Sequence, residues 1–169
     1  KEKQQGEESN YHLLLLAMNN VGYHNLLKLT TIAHREGFYS KPRIDRETLT
    51  AHHEGLICTS TCLGAEIPTA LMNHDRAAAE QIADWYLSLF GPERFYIELQ
   101  DHGIAEQRAI NPELIDIARR RSLGLVVTND VHYLRHEDAD AHDVLCCIQT
   151  RNLQTDEKRL KFPTDQFYL

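Results

Sequence analysis

At 169 residues, with 42% apolar and 25% charged side chains, the chain is one domain's worth of sequence, able to bury a real core. No run approaches the roughly 20 apolar residues of a membrane span, and no signal peptide opens it. The formal charge of −7 argues against a duplex-DNA grip, which needs clustered Lys and Arg to displace counterions.

Residues 1–10 are polar and read as a loop. The start without Met and the end at Phe167-Tyr168-Leu169 read as a piece of a longer polypeptide. The short apolar run His12–Ala17 predicts a strand. Gly22 opens an amphipathic helix to about Arg35, with Leu26, Leu27, Leu29, Ile32 and Ala33 on its apolar side. A short helix begins at Asp45, and Gly55–Ser60 reads as a second strand. Helices follow from about Ala65 to Met72 and, with Asp75 as N-cap, from there to Phe90. Phe95–Gln100 is a third strand. The span from Ala105 to about Ser122 is helical, Gly124 ends it, and a buried fourth strand runs from Leu125 to Thr128. A last helix covers about Glu137 to Thr150. Arg119-Arg120-Arg121, the only basic run, reads as a solvated helix end.

Strand–helix alternation predicts an α/β fold, part of a barrel or a doubly wound sheet, with chemistry at the carboxyl ends of its strands. Three such ends stand out. The second strand is followed by Thr61-Cys62-Leu63-Gly64, the third by Asp101-His102-Gly103, and the fourth by Asn129-Asp130-Val131-His132. At the end of the fourth strand Asp130 and His132, at i and i+2, share a face and converge as carboxylate and imidazole, a pair suited to a divalent metal.

Other residues admit plainer readings. Cys62 is either a low-pKa thiol available as a ligand or a small residue packed under a loop. Cys58, Cys146 and Cys147 read as packing, and the four cysteines make no disulfide framework, so reduced, cytoplasmic thiols are expected. His102 reads as a turn residue or a rim group, the turn being favoured. His142 reads as a solvated partner of Asp138 at i,i+4, and His52, His53 and His74 as exposed loop histidines. No Gly-x-Ser-x-Gly and no phosphate-binding glycine loop is present.

Taken in order, several segments resemble the PHP (polymerase and histidinol phosphatase) domain of bacterial replicative DNA polymerase III α subunits. The most specific are Thr61-Cys62-Leu63, Glu98-Leu99-Gln100-Asp101-His102-Gly103, Thr128-Asn129-Asp130-Val131-His132-Tyr133 and Ala141-His142-Asp143-Val144-Leu145. The resemblance implies a distorted (β/α)7 barrel, here partial with its first strands missing. Residues 11–152 would form the PHP-domain portion and 153–169 the connection toward a polymerase region. It also implies a cluster of divalent metals at the barrel mouth, zinc first, with manganese or iron as alternatives. The matching ligand positions are His12, Cys62, Asp130 and His132, and a vestigial domain would be free to replace Cys62 or His132.

The implied chemistry is metal-dependent hydrolysis of phosphate esters, in a polymerase a 3′–5′ exonuclease acting on mispaired ends. Implied partners are DNA, through the parent polymerase, and an exonuclease subunit and other replisome subunits; no membrane is expected. Two other readings stand beside it: a free-standing phosphatase of the histidinol phosphatase kind, and a non-catalytic scaffold. His12 lies at the start of its strand, the wrong end for a parallel barrel. Either the preceding segment enters as an antiparallel hairpin and brings His12 to the mouth, or its assignment rests on the resemblance alone.

Overall fold

The computed structural model describes residues 10–169; the loop expected at 1–10 falls, except for Asn10, outside the described residues. The elements run in the order β1 (Leu14–Ala17), α1 (Asn20–Arg35), α2 (Arg46–Ala51), β2 (Leu56–Thr59), α3 (Glu66–Met72), α4 (Arg76–Phe90), β3 (Phe95–Leu99), α5 (Ala105–Arg120), β4 (Gly124–Val127), a 3-10 turn (His136–Asp138) and α6 (Ala139–Thr150). The mixed α/β expectation holds. Three helix starts are set by side chains that take an otherwise unpaired backbone N–H. Asn19 accepts from Gly22, Asp45 from Thr48 and Asp75 from Ala78.

The four strands form one sheet in sequence order β1-β2-β3-β4. β2, β3 and β4 are parallel, while β1 pairs antiparallel to β2, with Leu14 opposite Thr59 and Ala17 opposite Leu56. A hairpin preceding His12 would fall largely outside the described residues; what is seen is that β1 itself runs antiparallel to β2. The amino end of β1 lies beside the carboxyl end of β2, where the His12 N–H donates to the Gly64 carbonyl at 2.9 Å.

Alternation along the strands sorts their side chains to two faces. Leu56 and Cys58 of β2 and Phe95 and Ile97 of β3, all fully buried, pack with Ile67, Leu71, Ala83, Phe90, Leu114 and Ile117 of the covering helices. Truncating a ring such as Phe95 at this centre costs about 3–5 kcal/mol. Glu98 points to the opposite face from Phe95 and Ile97. Gly22 lets α1 settle on the turn before β2: a Cβ there would lie 1.8 Å from the Gly55 carbonyl oxygen.

Several expectations need correction. Gly124 does not end α5 but begins β4, because Ser122, in the left-handed region at φ 53°, has already turned the chain. β4 is not buried. Leu125 and Val127 pair with Ile97 and Leu99 but are 45% and 78% exposed, because β4 is the last strand of the sheet and has a partner strand on one side alone among the described residues. Arg121 is not a solvated helix end: its guanidinium donates to both oxygens of Asp84, at 2.6 and 2.9 Å, tying α5 to α4. His142 is not paired with Asp138; its ring sits 4.8 Å from Phe162 and 5.3 Å from Tyr133. His53 is half-buried, edge-on to Phe90.

The segment after α6 packs back on the loop that follows β4. Arg159 grips Asp143 through two parallel bonds of 2.6 and 2.9 Å. Farther on, the Phe167 carbonyl accepts the His132 N–H at 2.8 Å, and the Asn129 amide donates to the carbonyls of Gln166 and Tyr168.

Candidate metal centre

The carboxyl ends of β2, β3 and β4 carry a set of polar side chains, among which Cys62, Glu98 and Gln100 share a small cavity with Gln107 and Asn111 of α5. Glu98 is at the centre of the set and only 4% exposed. Its carboxylate accepts from the Thr59 hydroxyl, the Thr128 hydroxyl and the Gln100 amide at 2.9 Å, each strand contributing a donor. A buried charge needs hydrogen bonds or a countercharge, and these partners are all neutral. Sequence reasoning passed over Glu98. The signal was the alternation Phe95-Tyr96-Ile97-Glu98-Leu99-Gln100, which puts a carboxylate and an amide on one face of a strand otherwise buried.

Cys62 follows β2 after Thr61, itself in the left-handed region at φ 59°. Its Sγ lies 3.2 Å from His12 Nδ1, so thiol and imidazole from two strands already touch. The expectation of a lowered thiol pKa is wrong. Burial pushes the Cys62 thiol up, a hydrogen bond from the Gly64 backbone lowers it in part, and the negative charges of Asp130 and Glu98 raise it further. Carboxylates that oppose a thiolate would favour a cation beside it.

Asp130 and His132 come together, though not by strand alternation. β4 stops at Val127, and Asp130 adopts a left-handed backbone, φ 41°, in the loop beyond. The turn brings the His132 Nδ1 to 2.6 Å from the Asp130 carbonyl and 4.0 Å from its carboxylate. A carbonyl only accepts, so Nδ1 carries the proton and Nε2 keeps its lone pair. Metal-ligating histidines are commonly held this way, by a carbonyl on the other ring nitrogen.

His102 sits in a bend, where the Gly103 N–H donates to Asp101, as the favoured reading had it, but its side chain is not a rim group. It is fully buried, and both ring nitrogens are engaged: Nδ1 lies 2.8 Å from the Gln107 amide nitrogen and Nε2 lies 2.8 Å from the Asn129 carbonyl oxygen. No lone pair is left for a metal.

The four matched positions thus form two pairs, His12 with Cys62 and Asp130 with His132. Among the described residues no group of three or more His, Cys, Asp or Glu side chains is placed to hold a metal ion. The donor chemistry nevertheless fits a divalent cation: sulfur, nitrogen and oxygen on a face whose carboxylates lack a positive partner among their hydrogen bonds. The four cysteines are free, and no helix among the described residues is long and apolar enough to cross a membrane.

A family model described as PHP domain matches residues 2–102. The DNA polymerase III subunit alpha of Treponema pallidum is 49% identical over 159 residues, which is 94% of this chain and 14% of that protein. The subunit of Thermus aquaticus is 50% identical over 159 residues, 94% of this chain and 13% of the relative. That of Deinococcus radiodurans is 46% identical over 166 residues, 98% and 12%. The chain spans about one seventh of the length of the curated relatives it matches.

Proposed function

The chain belongs to the PHP domain family, and from that membership we propose that it is part of a replicative DNA polymerase III α subunit and carries a metal-dependent phosphoesterase site. The observation that carries the site is the contact of His12 with Cys62, 3.2 Å between Nδ1 and Sγ, just beyond the end of β2. Four strands in unbroken sequence order, three of them parallel, are what consecutive strands of a (β/α)7 barrel would look like, whereas a doubly wound sheet reverses its order.

His12, Cys62, Asp130 and His132 would hold the metal, zinc suiting the mixed donors best and manganese or iron being the alternatives. A divalent metal in such a site supplies charge for the phosphate oxygens and acidifies a water. The protein's own share is placement. The hydrogen bond to the Asp130 carbonyl fixes the His132 ring, and the hydroxyls of Thr59 and Thr128 hold Glu98 in place beneath the mouth. His12, Asp130 and His132 are exposed, so an extended 3′ end could reach them. The substrate in this reading is the phosphodiester of a mispaired primer terminus, in a cytoplasmic replisome that contributes DNA and, as further partners, an exonuclease subunit and other replication subunits.

The test is hydrolysis of a 3′-mismatched primer by the complete polypeptide with and without added zinc or manganese, alongside a small phosphomonoester. Metal-dependent release of the mispaired nucleotide, lost in Cys62→Ser, is expected. Faster cleavage of the phosphomonoester would favour a free-standing phosphatase activity. Inertness toward both with metal bound would leave the domain a scaffold.

A further inference from the structure

None of the hydrogen bonds of His102 goes to the four matched ligand positions, yet it is the most completely enclosed polar side chain near them. Its surroundings fix its tautomer. The backbone N–H of His102 can only donate, and it donates to Gln107 Oε1 at 2.8 Å. The Gln107 amide nitrogen therefore faces Nδ1, 2.8 Å away, and Nδ1 must accept. The remaining proton sits on Nε2 and is given to the Asn129 carbonyl at 2.8 Å. The opposite ring face stacks on Phe167, 4.3 Å between centroids and 18° between planes. Gln107 is itself 4% exposed.

The held carbonyl belongs to the peptide that leads into Asp130, whose φ of 41° is a left-handed conformation. For a residue other than Gly such a backbone is sparsely populated and persists where its surroundings over-determine it. On the other side, the Asn129 side chain donates to the carbonyls of Gln166 and Tyr168. The residue before Asp130 is thus fixed by its carbonyl and by its amide.

We propose that His102 is a positioning residue for the metal site: its buried Nε2–H, oriented by Gln107, holds the Asn129 carbonyl and so sets the direction in which Asp130 presents its carboxylate. This rests on the reading of Cys62 and Asp130 as metal ligands. It adds that the site depends on a neutral imidazole of one tautomer at a position that never touches the metal. Sequence spacing could not reveal it, because Gln107 comes from α5 and Asn129 from the loop after β4.

The test uses cobalt(II) titrated into the complete polypeptide, followed by the cobalt–thiolate absorption that reports the Cys62 sulfur, with circular dichroism as the check on folding. The wild-type protein shows the band and Cys62→Ser does not; absence of the band in the wild type removes the metal site and this proposal with it. His102→Phe keeps the stacking on Phe167 but loses both nitrogens. It is expected to fold and to bind cobalt about 10–100-fold more weakly, the range for partners that orient metal ligands. His102→Gln restores an N–H where Nε2–H stood and is expected to stay within about threefold of the wild type. Wild-type cobalt affinity in His102→Phe, with the thiolate band intact, overturns the proposal while leaving the metal site standing. Binding by His102→Gln as weak as by His102→Phe overturns it as well, and so does unfolding of both variants, which would mark the ring as a plain support of the fold.

Discussion

Asp130 combines a left-handed backbone with a carboxylate whose charge adds to the effect of burial in raising the Cys62 thiol. Asn is among the few residues that adopt this backbone readily, so Asp130→Asn removes charge while sparing the turn. The protein should fold with unchanged stability and lose bound metal, by about tenfold or more in affinity, as read by metal analysis after dialysis. An unchanged complement would remove Asp130 from the ligand set. Glu98 makes the opposite case, a charge whose worth lies in three donors. Glu98→Ala strands the hydroxyls of Thr59 and Thr128 and should cost about 1–3 kcal/mol in urea unfolding. How much was legible differs between the pairs. Asp130 and His132 stand two apart in sequence and were visible there, though the reason offered, strand alternation, was wrong because the strand ends at Val127. The thiol's raised pKa was not visible, because its main cause is burial, which tertiary packing sets, and the charges that add to it come from β3 and from the loop after β4. The burial of His102 was hidden for the same reason.

The elements were the most legible level, because apolar spacing at helical period and side-chain caps are local. Asp75 capping α4 is one example, and the helix over 105–120 is another. What the sequence could not say is which strand face a helix would cover: Val126-Val127 reads as buried in isolation, yet β4 lies at the sheet edge and Val127 is 78% exposed. Contacts between elements carry two further predictions. Gly22→Ala drives a methyl into the Gly55 carbonyl and should destabilise by about 3 kcal/mol or more, seen as a lower urea midpoint at unchanged slope. Stability equal to the wild type would mean that α1 can slide off the turn. Arg159→Ala frees the segment that ends at Tyr168 from Asp143. Amide exchange at His132 and Tyr133, whose N–H groups bond the Phe167 carbonyl, should then accelerate while exchange in β3 is unchanged. Equal acceleration in β3 would show that the segment supports the whole fold rather than the loop after β4.

At the scale of the molecule, the sheet puts its apolar face under the helices and its polar face toward the carboxyl ends of β2, β3 and β4, with the antiparallel β1 delivering His12 to the same end. The two pairs, His12 with Cys62 and Asp130 with His132, do not converge on one point among the described residues, and the proposed metal would be what joins them. Alternation of strands and helices foretold the mixed α/β class, and the expectation for His12 came from the resemblance, not from periodicity. The most direct measurement is an anomalous difference map, recorded at the zinc edge from crystals of the complete polypeptide grown with zinc. A peak within about 2.0–2.3 Å of the Cys62 sulfur, shared with His12 nitrogen or with the Asp130 or His132 donors, is the predicted result. A map without a peak at Cys62, or with its metal beside His142 and Cys146 instead, would contradict the centre described above.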